Sequence, residues 1–250
     1  MPLSSNWPAG VGRVILPEID STNAEAARIA PGLSGPTWIL ALRQTQGRGR
    51  RGRDWRDPEG NFAASYVTRP GGAPDQVALR SFVAALALHD ALITVTGRAE
   101  AFALKWPNDV LLNGGKLAGI LLESVGHGAQ VGHLVIGIGV NLRMSPEPEP
   151  GAVPPVSLMG ETGTSITPEE FLDLLAPAYA RWEDQFVTYG FAPIRRAWLD
   201  RAARLGQVIA ARTVTESHTG TFEGIDASGA LLLRDARGLR AIPAADVYFA

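Results

Sequence analysis

Six arginines crowd residues 43–56 (Arg43, Arg48, Arg50, Arg51, Arg53 and Arg56) against a single acid, Asp54. A guanidinium is a planar fork matched to phosphate or carboxylate. Gly47, Gly49 and Gly52 interleave with the arginines and let a backbone approach a ligand closely. Trp55 adds a face on which a planar ring can stack. Such a segment suits a nucleotide or single-stranded RNA. Its bland alternative is a solvated charged loop. Gly47-Arg48-Gly49-Arg50-Arg51-Gly52 also reads as G-x-G-x-x-G. A dinucleotide fold would need a helix to open inside the motif. Arg53-Asp54-Trp55-Arg56-Asp57-Pro58 follows instead, with no amphipathic pattern. Kinase and P-loop patterns fail as well: no β-branched residue follows at the required position, and Gly115-Lys116 leads into Leu117.

Lysine is scarce. Lys and Arg total 23, yet only Lys105 and Lys116 are lysine. They flank Trp106-Pro107-Asn108-Asp109, in which Asn108-Asp109 taken alone reads as a turn. Lys116 opens a strand directly after a turn, and strict alternation groups it with Ala118 and Ile120. A lysine kept in an arginine-using chain points to a need for a compact ammonium. Ser21-Thr22-Asn23 combines a helix cap with hydroxyls able to bond a small polar ligand. Gly137 and Gly139, inside the apolar run Gly137-Ile138-Gly139-Val140-Asn141, signal a close approach to the strand backbone, or a bulge.

The composition bounds these readings. The chain has 250 residues, 46% hydrophobic and 19% charged, with net charge −2. That supports one large domain, or a main domain and a small one, and excludes a wholly disordered chain. Absence of cysteine removes disulfides, thiolate nucleophiles and iron–sulfur clusters. Four scattered histidines (His89, His127, His133, His218) make a structural zinc site a poor expectation. No secretory signal is evident. The apolar stretch Phe82 to Val95, interrupted by His89 and Asp90, reads as too short to span a bilayer. A cytoplasmic setting is expected.

The elements that must carry these residues follow from periodicity and punctuation. Strands are expected over Val11–Ile19, Trp38–Leu42, Asn61–Thr68, Phe102–Trp106, Val110–Leu112, Lys116–Glu123 and Val131–Leu142, the last one central. Asn113-Gly114-Gly115 marks a hairpin. A helix over Asn23–Ala30 is expected to start in a Thr22/Glu25 capping box. Asp75 caps a helix of about twenty residues. Residues 144–157 form a Pro-rich surface loop. Thr167-Pro168-Glu169-Glu170 opens a helix to Tyr189, followed by another over Pro193–Leu205. From Gln207 only short strands remain (207–215, 219–225, 230–234, 238–242 and 246–249), a small barrel or sandwich.

In this order the segments resemble the biotin–protein ligase family over nearly the whole chain: Ser21-Thr22-Asn23; Gln44, then Gly47 to Arg53 and Trp55; Gly60-Asn61; Lys105 to Asp109; Lys116 to Leu121 with Glu123; Gly137 to Asn141; and in the tail Gly224-Ile225-Asp226 with Gly229-Ala230-Leu231. The resemblance implies an α+β fold. Its parts are a mixed-sheet catalytic domain like the class II aminoacyl-tRNA synthetases (1–205), with helices on one face, and a small C-terminal SH3-like β-barrel (206–250). It implies activation of biotin by ATP and Mg²⁺ to biotinyl-5′-AMP, then transfer to a lysine of a biotin carboxyl carrier protein. Lys116, Arg48 and Arg50 would be catalytic. Ser21, Thr22, Asn23, Gln44, Gly47, Arg48, Gly49, Arg50, Lys116 and Gly119 would hold biotin; Arg50, Arg53, Trp55, Asn108, Lys116 and Asn141 would hold ATP. No metal ligand is assigned.

Twenty residues before Ser21 are too few for the DNA-binding domain of bifunctional relatives, so DNA is not an expected partner, in keeping with the net charge of −2; with no spanning stretch expected, neither is a membrane, and homodimerisation is left open. The chain also ends Val247-Tyr248-Phe249-Ala250 without the late arginine of some relatives. A lipoate–protein ligase and an RNA-binding module are the rival readings.

Overall fold

The computed structural model describes residues 6–56, 58–125, 131–148, 151–213 and 215–249. His127, Asp57, Glu149, Pro150, Val214 and Ala250 therefore lie outside the described residues.

A seven-stranded mixed sheet holds β1 (Gly12–Leu16), β2 (Thr37–Ala41), β3 (Phe62–Thr68), β4 (Phe102–Lys105), β5 (Asp109–Leu112), β6 (Gly115–Val125) and β7 (His133–Val140) in the order β1-β2-β3-β7-β6-β5-β4. Only β1 and β2 run parallel, joined through α1 (Thr22–Ile29); the other pairs are antiparallel. The β-branched run expected to be central is β7, the middle strand.

The main core lies on one sheet face. Trp38, Leu40, Phe62, Ala64, Tyr66, Ile136, Ile138 and Val140 meet α3 (Arg80–Thr96) and α5 (Pro168–Tyr189). Phe62 meets Phe171 edge-on at 5.1 Å and Tyr66 meets Tyr179 at 4.7 Å. Each such buried side chain contributes roughly 1.5–3 kcal/mol. The alternate residues face the other way. There Ile39, Val67 and Val135 form a smaller core with Ala26, inside α1, and Ala30, just beyond its C-terminal end. Helices therefore cover both faces of the sheet, not one as expected. This opposite face, at and past the N-terminal end of α1, is where the chemistry-bearing residues gather.

Several local expectations change. The first helix starts one residue earlier, with Ser21 as its N-cap and no side-chain capping bond; the Thr22 hydroxyl is used elsewhere. The helix assigned to Asp75 is two, α2 (Pro74–Ala78) and α3, with Ala73 at the cap. Together Pro74–Thr96 is long and apolar enough to cross a membrane, but 72% of its most apolar window is buried in this protein. The Thr167 capping box is present. A short α4 (Leu158–Thr162) adds to the expected elements, and α6 spans Phe191–Leu199, ending before the expected Leu205. Beyond α6, Ala203 N–H donates to Leu104 C=O, and Leu104 N–H donates to Arg201 C=O, both at 2.8 Å.

All five tail strands are present: β8 (Val208–Arg212), β9 (Ser217–Ile225), β10 (Leu231–Asp235), β11 (Gly238–Ile242) and β12 (Asp246–Phe249). They form one antiparallel sheet in the order β11-β10-β9-β8-β12. Trp106 Nε1–H donates to Gly229 C=O at 3.0 Å. A Cβ on Gly229 would stand 2.7 Å from Phe82, so glycine permits this sheet to approach the main core. The contact brings β12 to the edge of the site.

Candidate active site

A cavity of about 520 Å³ opens on the sheet face opposite the main core. Ser21, Thr22, Asn23, Gln44, Arg48, Gly49, Arg50, Arg53, Trp55, Asn108, Lys116, Gly119 and Asn141 all line it. Gly47, grouped with them from the sequence, does not. A Cβ there would lie 2.4 Å from Trp55 C=O, and Gly47 C=O accepts from Trp55 N–H. Its place is under the loop, where only glycine fits.

One end of the cavity is polar and neutral. Gln44 Oε1 accepts from Thr22 N–H at 2.8 Å and lies 3.1 Å from Thr22 Oγ1. The buried Ser65 Oγ lies 2.8 Å from Thr22 Oγ1 and 2.6 Å from Asn23 Oδ1. A hydroxyl has one proton, so Ser65 can donate in only one of these contacts. Asn23 Nδ2–H donates to Glu123 Oε2 at 2.7 Å, which orients the amide. Glu123 in turn lies 4.0 Å from Arg48. The network exists because β3 alternates: Phe62, Ala64 and Tyr66 enter the main core and Ser65 faces away. A lone serine in an apolar strand was the available signal for it.

The floor is glycine. A Cβ at Gly137 would lie 2.3 Å from Asn23 Oδ1; at Gly139, 2.4 Å from the Trp55 ring; at Gly119, 3.2 Å from that ring. The close approach signalled by glycines in an apolar strand is thus made by Asn23 and Trp55. No side chain larger than hydrogen leaves room for them.

The other end is cationic. Lys116 does not share a face with Ala118 and Ile120. The β5–β6 register shifts so that Val110 faces Ala118 while Leu111 faces Lys116, leaving Leu117 as the extra residue. This bulge breaks the alternation. Leu117, Ala118 and Ile120 enter the main core, while Lys116 joins Gly119 on the cavity side. Its Nζ lies 2.8 Å from Asp109 Oδ1 and 5.9 Å from the centre of the Trp55 ring. Lys105 Nζ donates to Asp109 Oδ2 at 3.2 Å.

Burial alone would raise the Asp109 carboxyl, but the Lys116 and Lys105 ammonium groups outweigh it and hold it below the ordinary carboxylate range. One carboxylate thus serves two ammonium groups. Lys105 is buried, whereas the Lys116 side chain keeps 33% of its surface exposed, so the uncompensated positive charge is available at Lys116. Asp109, read from the sequence as part of a turn, is the residue that orders both lysines.

The arginine segment contains a short 3₁₀ turn, Arg50–Gly52, closed by a bridge between Arg48 and Asp54. Burial pushes the Arg50 guanidinium down, against the pull of Asp246 and Asp109. Arg50 also donates to Asn108 Oδ1 at 3.4 Å, while Asn108 Nδ2–H donates to Ile120 C=O at 2.6 Å. Asn141 Nδ2–H donates to Val156 C=O, but its buried Oδ1 has no hydrogen-bond partner among the described residues. An orphaned acceptor beside a cavity is suited to a ligand donor.

The Pro-rich stretch is more than a surface loop. Pro146, Glu147, Pro148, Ala152, Val153 and Pro155 line the cavity, and Pro154 C=O accepts from Lys116 N–H. β12 contributes Asp246, Val247 and Tyr248 to the same wall. Nothing in the sequence marked Asp246.

Comparison with known proteins agrees over both sheets. Residues 15–141 match the biotin/lipoate A/B protein ligase family, and residues 205–250 match the biotin protein ligase C-terminal domain. The chain is 62% identical to the biotin–(acetyl-CoA-carboxylase) ligase of Paracoccus denitrificans, covering 94% of this chain and 99% of that one. It is 33% identical to the bifunctional ligase/repressor BirA of Bacillus subtilis, over 84% of this chain and 65% of that one. Its fold is similar to that of the biotin protein ligase from Aquifex aeolicus in complex with biotin and ATP: TM-score 0.82, 26% identity, 94% and 97% coverage. With two family matches in chain order and a relative this similar over nearly its full length, the chain belongs to the biotin protein ligase family.

Proposed function

We propose that the protein is an ATP-dependent biotin–protein ligase, which activates biotin to biotinyl-5′-AMP and transfers it to a lysine of a biotin carboxyl carrier protein. The observation that carries this is one continuous cavity joining a hydrogen-bonding end (Thr22, Asn23, Gln44), with Arg48 beside it, to a cationic end (Arg50, Arg53, Lys116) across the Trp55 ring. A ligand that fits it is neutral and polar at one end and anionic at the other, as biotin is, with room beside it for a nucleotide.

In the first step a carboxylate oxygen forms a bond to the α-phosphorus of ATP, and the bond to the pyrophosphate oxygen breaks. Two anions must meet, and fixed cations lower that barrier. Lys116, held by Asp109, serves both the carboxylate and the α-phosphate; a compact ammonium can sit between two oxygens where a fork cannot. Arg48 and Arg50 hold the carboxylate and α-phosphate, and Arg53 the departing phosphates. Ser21, Thr22, Asn23 and Gln44 bind the ureido ring, with Gly49 and Gly119 giving access; Trp55 stacks on adenine, and Asn108 and Asn141 contact the nucleotide. In the second step the neutral amine of the carrier lysine attacks the anhydride carbonyl, and AMP leaves with the bonding pair. Ordering of residues 46–54 over the anhydride keeps water away.

Among the described residues no three acids or histidines converge on a common point. Mg²⁺ accordingly fits as part of the magnesium–nucleotide substrate, held by phosphates and neutralising their charge. The same proposal carries the division into a class II synthetase-like catalytic domain, 1–205, and an SH3-like unit, 206–250. It also carries a cytoplasmic setting without DNA or membrane partners; the oligomeric state is left open, and sedimentation would decide it.

The decisive test incubates the protein with biotin, ATP and a carrier domain and weighs the carrier. A gain of one biotinyl group supports the proposal. Transfer of lipoate but not biotin, or no transfer with intact binding to RNA, overturns it.

A further inference from the structure

One carboxylate of β12 meets three arginines of the cationic segment. Asp246 Oδ1 lies 3.6 Å from Arg50 and 3.3 Å from Arg53, and Oδ2 lies 3.1 Å from Arg51. Its side chain is only 18% exposed, and it lines the cavity with those of Arg50 and Arg53. Three guanidinium groups within four residues repel one another; Arg51 and Arg53 both weigh against the charge on Arg50. A crowded cationic turn of this kind needs a counter-anion to stay folded in one place.

We infer that Asp246 sets nucleotide affinity by holding the place of the polyphosphate: it neutralises Arg50, Arg51 and Arg53 in the empty enzyme and is displaced by the phosphates of ATP. The inference rests on the ligase reading for the identity of the anion. A polyphosphate carries more charge and more acceptor oxygens than one carboxylate, so it wins the arginines when bound. After pyrophosphate forms, Asp246 competes for the same groups and favours its departure. The contribution of the C-terminal sheet to nucleotide handling is therefore a competing acid.

The test titrates inorganic pyrophosphate into wild type, Asp246→Asn and Asp246→Glu by calorimetry, and measures KM for ATP in each. Three partly exposed ion pairs together amount to about a factor of ten. Asp246→Asn should bind pyrophosphate about tenfold tighter, with a lower KM for ATP and stronger product inhibition; Asp246→Glu should stay near wild type. Unchanged or weaker pyrophosphate binding by Asp246→Asn overturns the inference. A second measurement on wild type covers a variant that fails to fold. Pyrophosphate should slow hydrogen exchange in residues 48–54 while speeding it at 246–249, and slower exchange in both segments overturns the inference. Wild type that binds neither biotin nor ATP would instead refute the ligase reading.

Discussion

Asp109→Asn is the substitution that most directly probes the construction of the cationic end. It keeps the shape and removes one negative charge. In the wild type that charge is buried between Lys116 Nζ at 2.8 Å and Lys105 Nζ at 3.2 Å. Lys116 can turn toward solvent. Lys105, with 8% of its side chain exposed, cannot. Breaking a buried pair by removing one partner costs about 3–5 kcal/mol, because the remaining charge is left uncompensated. A domain with about 5–15 kcal/mol of stability would lose a large share. Urea denaturation at pH 7 should show this loss, and Lys105→Met in the Asp109→Asn background should recover at least half of it.

Acid supplies an independent check. The Asp109 carboxyl is held below its ordinary value in the folded protein, so it contributes stability above its unfolded pKa and loses it as pH falls through the lower folded value. The gap between wild type and Asp109→Asn should therefore narrow in acid. Loss below about 1 kcal/mol, the range of an exposed pair, with no compensation by Lys105→Met, or a gap that widens in acid, would refute the reasoning.

Three further outcomes are expected. Lys116→Ala should lose at least about 100-fold in biotinyl-adenylate formation while the fold survives; wild-type rates would remove Lys116 from the chemistry. Biotin with ATP should protect residues 46–54 from hydrogen exchange, and unchanged exchange would count against an ordering loop. Thr167→Ala breaks the capping box of α5 and should cost about 1 kcal/mol by thermal or urea unfolding, without altering KM for biotin.

What was legible in the sequence was local. Lysine scarcity, the glycine–arginine run and glycines in an apolar strand each picked out a segment, because each departs from what a solvated loop or a packed strand needs. The helix capped by Thr167 and the five tail strands follow from residue types within a few positions. By contrast, the coverage of both sheet faces depends on where α1 lies after the chain reverses.

The tertiary structure decided how those segments combine. A single bulge at Leu117 carried Lys116 from the core face to the cavity, and alternation could not reveal it because pairing with β5 sets the register. Asp109 reads as a turn residue until folding places Lys116 beside it. Ser65, 43 residues from Thr22, and Asp246, almost 200 residues from Arg53, act only through contacts made across the fold. Residue types and spacing determined which chemistry the chain carries. Long-range pairing, burial and charge compensation, none of them local in sequence, decided which side chains perform it and which hold them in place.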